Sequence, residues 1–332
     1  MSGEAKERKL STAQAIHEAL DLAMEKDPTV LLLGEDVSDP SGGGVFHISE
    51  GLSTKHGEHR VRSTPIAEQA IVGAAIGAAV GGFRPVAELM FMDFFAVAMD
   101  QISNHAAKLR YMSGGQTGVP ITIRTAAGAG MQFGAQHSEM LEAWVTHIPG
   151  LKVVVASNPA DAKGLLTSAI FDDDPVITIE PTLNYWVSGP VPEGEYSVPL
   201  GQASVARPGD DVTVITWGRE VAFALQAAEQ LAGEGVSAEV IDLRSLVPMD
   251  ERAILESVGR TKRAVIAHQA VRRNGLGAEI ACLLNEHLFG ELQAPVVRVA
   301  GPNTPIPYAA ELESLFVVDT NDIAEGIRRA TK

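Results

Sequence analysis

Short runs of β-branched and aliphatic residues recur along the chain, each followed by a stretch with helical spacing. This alternation restricts the fold more than any other feature, because it is the pattern of an α/β protein with a largely parallel sheet. In the first part "TVLLLGEDV", "RPVAELM", "VPITIRT", "KVVVASN" and "PVITIEP" read as buried strands, with helices expected over 11–26, 67–81, 94–112, 138–147 and 159–172. The Pro/Gly-rich "VSGPVPEGEYSVPLG" (187–201) lacks apolar periodicity and reads as a connection. The alternation then restarts with "DVTVITWG", "SAEVIDLR", "RAVIAHQ" and "PVVRVAG", and with helices over 219–233, 250–259, 277–288 and from about 321. The expected fold is α/β with two doubly wound domains, residues 1–190 and a smaller unit of four main strands over 208–332, joined by a linker at 191–207.

Composition narrows the function. The formal charge of −16 over 332 residues disfavours nucleic acid and anionic membrane as partners and suits a basic protein. The N-terminal "MSGEAKERKLSTAQAIHEAL" has no apolar signal core, so a cytoplasmic location is expected. Cys282 is the single cysteine, and its setting "AEIACLLNEHL" reads as an apolar helical face carrying a structural thiol.

Three stretches carry candidate chemistry. In "VPITIRTAAGAGMQFGAQHSEMLEAW" a strand leads into Gly128, Gly130 and Gly134, close to a dinucleotide-binding fingerprint. The next strand ends in "ASNPAD", without the acid that would bind a ribose, so the glycines read better as a turn needing positive φ, with NAD binding kept as an alternative. His137 stands where this loop is expected to enter its helix, facing the crevice at a strand's carboxyl end, where a structural histidine is the competing reading.

Glu68 opens a helix otherwise built of Ala, Gly, Ile and Val. A solvated carboxylate there gains from the helix macrodipole. The glycines at 73, 77, 81 and 82 instead imply another backbone packed close by, and in such a dry region an acid trades protons readily with a heteroaromatic base. Asp172, Asp173 and Asp174 close a helix, where they are either solvated or gathered around a cation. No GxxxxGK[ST], GxSxG or HExxH motif is present, so no grip on phosphate is visible.

These residues lie in a longer pattern. "LLLGEDV", "RVRSTPIAEQAIVGAAIGAA", "MFMDFFAVAMDQI", "GAQHSEMLEAW", "DLRSLVPMD" and "GPNTPIPYA" occur in order, and with them the chain resembles, essentially end to end, the beta subunit of the thiamine-diphosphate-dependent 2-oxo acid dehydrogenases. These are the first components of the pyruvate, acetoin and branched-chain complexes. The resemblance implies a pyrimidine-binding N-terminal domain and a transketolase-like C-terminal domain. It also implies an α2β2 heterotetramer whose alpha subunit holds magnesium and the diphosphate, since "PGDDVTV" lacks the Gly-Asp-Gly motif. The activity implied is oxidative decarboxylation of a 2-oxo acid, pyruvate first, or cleavage of acetoin, with reductive acylation of lipoyl groups on the acyltransferase component. A non-catalytic scaffold subunit is the remaining alternative.

Carried over by position, Glu68 matches the glutamate that hydrogen-bonds N1′ of the aminopyrimidine. Phe94 matches the aromatic on that ring, and Ile66 and Met90 match apolar contacts around it. His137 matches the histidine implicated in lipoyl acylation. Ile121, Ala169, Asp172 and Asp174 fall where relatives bind a structural potassium ion. The acyltransferase is expected to dock through the C-terminal domain. There "HQAVRRNGLGAEIA" departs from the His-Glu-Ala of many relatives, with Gln269 replacing an acid and Arg272 and Arg273 adding charge.

Overall fold

Strand β1 (Lys9–Ser11) hands directly to helix α1 (Thr12–Lys26) through a capping box: the Ser11 hydroxyl accepts the Gln14 N–H, and the Gln14 side chain accepts the Ser11 N–H. The computed structural model describes residues 8–332. From α1 the chain runs through β2 (Val30–Glu35), α2 (Leu52–His56), β3 (Val61–Thr64), α3 (Glu68–Val80), β4 (Arg84–Phe91), α4 (Phe95–Asp100), α5 (Leu109–Met112) and β5 (Thr122–Ala127). It continues through α6 (Glu142–Thr146), β6 (Lys152–Val155), α7 (Pro159–Ile170), β7 (Val176–Pro181) and β8 (Ser188–Pro190). The last of these pairs antiparallel with β1.

The second half follows as β9 (Ser204–Arg207), β10 (Val212–Thr216), α8 (Glu220–Ala232), β11 (Ala238–Asp242), β12 (Ser245–Val247), α9 (Glu251–Thr261), β13 (Ala264–Val271), α10 (Gly277–Leu288), β14 (Val297–Gly301), α11 (Ala310–Glu313) and α12 (Thr320–Thr331). The larger sheet has the order β12-β6-β7-β5-β4-β2-β3 and the smaller β14-β13-β10-β11-β9. Neighbours are parallel except at two edges, where β12 runs antiparallel to β6 and β9 antiparallel to β11. The large sheet therefore takes its edge strand from the C-terminal half. One hydrophobic cluster also joins the sheets, containing Val153, Val155 and Ile177 from the first with Trp217, Ile241 and Ile266 from the second. Each such fully buried aliphatic side chain contributes about 1.5–3 kcal/mol.

Several sequence expectations change. The second sheet has five strands, because β9 lies in the stretch read as linker. The helix expected over 94–112 is broken: α4 passes into a π-helical turn at Gln101–Ala106, and a separate α5 follows. A π turn inserts a residue into the helical repeat, which periodicity does not reveal. The helix expected over 138–147 shrinks to α6, so His137 lies in a turn ahead of it and not at a helix start. Cys282 is exposed, and its thiol donates to Glu286; α10 buries Gly277, Ile280 and Leu284 instead.

Helix α3 buries Ile71, Val72, Ala75, Ile76 and Ala79 against the sheet. Its glycines do not receive another backbone from the same chain. A Cβ at Gly73 would meet the Gln101 side chain at 3.3 Å, and one at Gly77 would meet nothing within 4 Å. The small-residue face over Ala74 and Gly77 is exposed.

Candidate active site at the carboxyl edge of the large sheet

Because β2 to β7 are parallel, the loops that leave β3, β4 and β5 emerge along one edge. The first brings Ile66 and Glu68, the second Phe94, and the third the glycine loop with His137. Pro65 and Ala67 lead into α3 without a side-chain cap, so Glu68 occupies the first turn, where the macrodipole favours negative charge. Its side chain is buried, and its carboxylate makes no hydrogen bond with another described residue. Glu35, at the end of β2, has its carboxyl pushed up by burial and by the charges of Glu68, Asp36 and Glu88. Several acids thus crowd this end of the sheet.

Phe94 and His137 meet directly. The imidazole stands edge-on to Phe94 at 5.2 Å between ring centroids and to Phe91 at 5.0 Å. Met90 is buried on β4 beside this pair in sequence, whereas Ile66 projects into solvent at 82% exposure. Of the pyrimidine-contact set, the structure therefore joins Phe94 to His137 and leaves Ile66 free to meet something outside the chain.

Asp93 is a member of this site that sequence reasoning missed. Its Oδ1 accepts the Glu139 N–H at 3.3 Å, tying the β4 loop to the segment just after His137, while its Oδ2 is buried without a partner among the described residues. Burial pushes its carboxyl up against the opposing pull of backbone N–H groups and of His137. The available signal was an acid inside the apolar run "MFMDFFAVAM".

The glycine loop is not a nucleotide cradle in this chain. Its N–H groups at Gly130 and Gln132 are taken by the Glu313 carboxylate at 2.8 and 3.0 Å, and the Ala129 N–H by Gln269 Oε1 at 3.1 Å. Positive φ at Gly128, Gly130 and Gly134 satisfies the turn reading. Gln269 is buried, so it offers nothing to a docking partner; Arg272 instead donates to the Arg298 carbonyl on the adjacent strand.

The aspartates after α7 are paired, not simply solvated. Lys152 donates to both oxygens of Asp172 at 2.8 and 2.7 Å, Arg84 to Asp173 at 2.8 Å and Arg110 to Asp174 at 2.5 Å. The Ile121 carbonyl accepts the Val176 N–H, and the Ala169 carbonyl accepts the N–H groups of Phe171 and Asp172 at the end of α7.

Beneath the site lies a buried ionic row across β4, β5 and β7. Arg124 donates to Glu88 at 2.7 Å and through two nitrogens to Glu180 at 2.8 and 2.9 Å, and Tyr185 donates to Glu180 at 2.8 Å. Burial alone would lower the basicity of Arg124, but the two carboxylates outweigh it and hold the guanidinium charged.

Comparison with known proteins defines the class first. Residues 8–186 match the transketolase pyrimidine binding domain and residues 201–323 the transketolase C-terminal domain. The acetoin:2,6-dichlorophenolindophenol oxidoreductase subunit beta of Cupriavidus necator is 47% identical over 98% of both chains. The pyruvate dehydrogenase E1 component subunit beta-2 of Oryza sativa is 44% identical over 97% of this chain and 86% of its own, and the 2-oxoisovalerate dehydrogenase subunit beta of Bacillus subtilis 43% identical over 96% and 98%. A split-gene transketolase solved as an inactive beta4 tetramer superposes with a TM-score of 0.79 at 25% identity, covering 97% of this chain and 98% of that one. The chain belongs to the E1 beta subunits of the 2-oxo acid and acetoin dehydrogenases, a transketolase-like family of thiamine-diphosphate oxidoreductases.

Proposed function

We propose that this chain supplies the aminopyrimidine half of a thiamine-diphosphate site shared with an alpha subunit, in an α2β2 enzyme that oxidises acetoin or a small 2-oxo acid and passes the acyl group to lipoate. The observation that carries this reading is Glu68, a largely buried residue whose carboxylate has no hydrogen-bond partner among the described residues, at the edge that also presents Phe94 and His137. Such a carboxylate fits a ligand nitrogen that can bear a proton. Phe94 offers a flat apolar surface to the ring, Met90 lies behind it, and exposed Ile66 reaches toward the same ligand. When bound, thiamine diphosphate supplies a nucleophilic carbon that adds to the oxo group and holds the electron pair once the neighbouring bond breaks. Glu68 holds the proton at N1′. His137 delivers or accepts a proton as lipoate takes the acyl group.

The glycine-loop donors are already occupied by Glu313 and Gln269, which supports the diphosphate and its magnesium being held by the alpha subunit. The acyltransferase docks on the C-terminal domain, whose partner surface is basic where this chain is acidic. The enzyme works in the cytoplasm. Potassium is proposed at the Ile121 and Ala169 carbonyls with Asp172 and Asp174; a melting temperature higher in potassium than in tetramethylammonium chloride would support the site, and equal values would remove it.

Acetoin takes precedence over pyruvate on the 47% identity to acetoin-oxidising relatives from two organisms. The test is co-expression with an alpha subunit and dye-linked oxidation of acetoin, pyruvate and 2-oxoisovalerate. Turnover that depends on thiamine diphosphate supports the proposal. A complex that turns over none of the three overturns it. Activity that survives Glu68→Ala would favour the scaffold reading.

A further inference from the structure

We propose that Gln269 and Glu313, both from the C-terminal half, are positioning residues that clamp the glycine loop in the one shape that presents His137 to the site. The inference rests on the reading of His137 as the group serving acyl transfer to lipoate.

The segment from Gly128 to His137 contains no helix or strand. It turns through positive φ at Gly128 (100°), Gly130 (112°), Gln132 (58°) and Gly134 (77°). Such a chain has many conformations of similar energy and needs external contacts to select one. The first half provides some of these: the Thr182 hydroxyl donates to the Gly128 carbonyl at 3.1 Å, and the Phe133 ring packs against Phe46 and Phe91. The side-chain bonds to Ala129, Gly130 and Gln132 come from across the molecule.

Gln269, buried on β13, treats Ala129 as a neighbouring strand would. Its Oε1 accepts the Ala129 N–H at 3.1 Å, and its Nε2 donates to the Ala129 carbonyl at 3.4 Å. A neutral amide meets both groups at once, whereas an ionised carboxylate has no donor for the carbonyl. Glu313 closes α11 and is also buried. Its Oε1 accepts Gly130 N–H at 2.8 Å and Gln132 N–H at 3.2 Å, and Oε2 accepts Gln132 N–H at 3.0 Å. Successive N–H groups pointing inward make a concave anion seat. Here the seat is filled by the chain's own carboxylate, buried and held by these backbone donors.

The fit is close. A Cβ at Gly128 would lie 2.5 Å from Gln269 Oε1, and one at Gly134 would lie 3.5 Å from the Tyr308 ring. Immediately beyond, the His137 N–H donates to the Gly134 carbonyl at 3.3 Å, and the imidazole meets Phe91 and Phe94. The docking of the two halves is thereby transmitted to the imidazole through Ala129, Gly130 and Gln132.

The test uses the reconstituted α2β2 enzyme with Gln269→Leu, Glu313→Gln, Glu313→Asp and His137→Ala. Two rates are measured: dye-linked substrate oxidation, and acylation of a lipoyl domain. Gln269→Leu removes both bonds to Ala129 and should lower kcat for lipoyl acylation on the order of 10- to 100-fold. The dye-linked rate should stay within about twofold. Glu313→Gln should show the same split, and Glu313→Asp should restore part of the rate. Amide exchange at 129–132 should quicken in both while that of α3 is unchanged. Unchanged acylation in both variants, or equal loss of both rates with faster exchange throughout, would overturn the clamp. If His137→Ala leaves acylation intact, the reading of His137 itself fails, and exchange at 129–132 then judges the clamp independently.

Discussion

The imidazole of His268 lies flat against the indole of Trp217, with ring centroids 5.3 Å apart and planes 9° from parallel. Both rings are completely buried, and neither imidazole nitrogen has a hydrogen-bond partner among the described residues. Gly275 and Gly277 leave the space for the ring, since a Cβ at either would come within 2.7 Å of it. Burial pushes the histidine down to about 4, with Arg298 adding to the effect. The folded protein therefore keeps it neutral. Below the ordinary histidine value of about 6.5 the unfolded chain binds a proton that the folded one refuses, so stability falls as pH drops through that window.

Close by in the shared core, Glu142 and Glu220 have the opposite sign. Burial raises each to about 8, and Glu220 further raises Glu142. Between the ordinary glutamate value and about 8 the folded state holds protons that the unfolded state has lost. Stability should decline as pH rises through that range, by about 1.4 kcal/mol per unit for each group. Urea unfolding at pH 6, 7 and 8 should show this slope, and Glu142→Gln should reduce it while raising stability at pH 8. An unchanged slope would place the proton elsewhere.

Replacing Glu68 by Gln keeps the shape of the side chain and removes its ability to hold a proton. The dye-linked turnover of the reconstituted enzyme should fall by about a hundredfold or more. The melting temperature of the chain should move little. Near-normal turnover would remove Glu68 from its role.

Arg124 is held between Glu88 and Glu180. Arg124→Met alone leaves two buried carboxylates without their counter-charge, Glu180 keeping only the Tyr185 hydroxyl, and should cost about 3–5 kcal/mol in unfolding free energy. Adding Glu88→Gln and Glu180→Gln should recover much of that loss, as measured by urea denaturation. Additive losses across the three would contradict the picture of one coupled row.

The exposed small-residue face of α3 leaves room for a close-packed neighbour, and the prediction is that another subunit takes it. Gly77→Leu, at an exposed position where an added Cβ meets nothing within 4 Å in the single chain, should leave its melting temperature within about a degree or two, given the small effect of exposed substitutions. It should lower the assembled mass in light scattering after mixing with the alpha subunit. Normal assembly would place the interface elsewhere.

The strands were legible because β-branched runs in parallel sheets are buried on both faces. Helix α10 matches its expected span, 277–288, since its apolar spacing is unbroken. Glu68 and His137 stood out for a local reason: each is a polar group at the mouth of an apolar or glycine-rich stretch. The clamp was not legible. Gln269 reaches Ala129 across 140 positions and Glu313 reaches Gly130 across 183, and no local pattern encodes such a meeting. Cys282 was misread because two residues either side of it face inward on α10 while it turns away.

The antiparallel strand at the edge of the large sheet also orders events during synthesis. Strand β6 waits for Ser245–Val247 to cover its outer edge, and until then its N–H and C=O groups stand open to any passing strand. A nascent chain holding only the first domain is sticky along that edge. A fragment ending at the linker should precipitate unless the missing strand is supplied as a peptide.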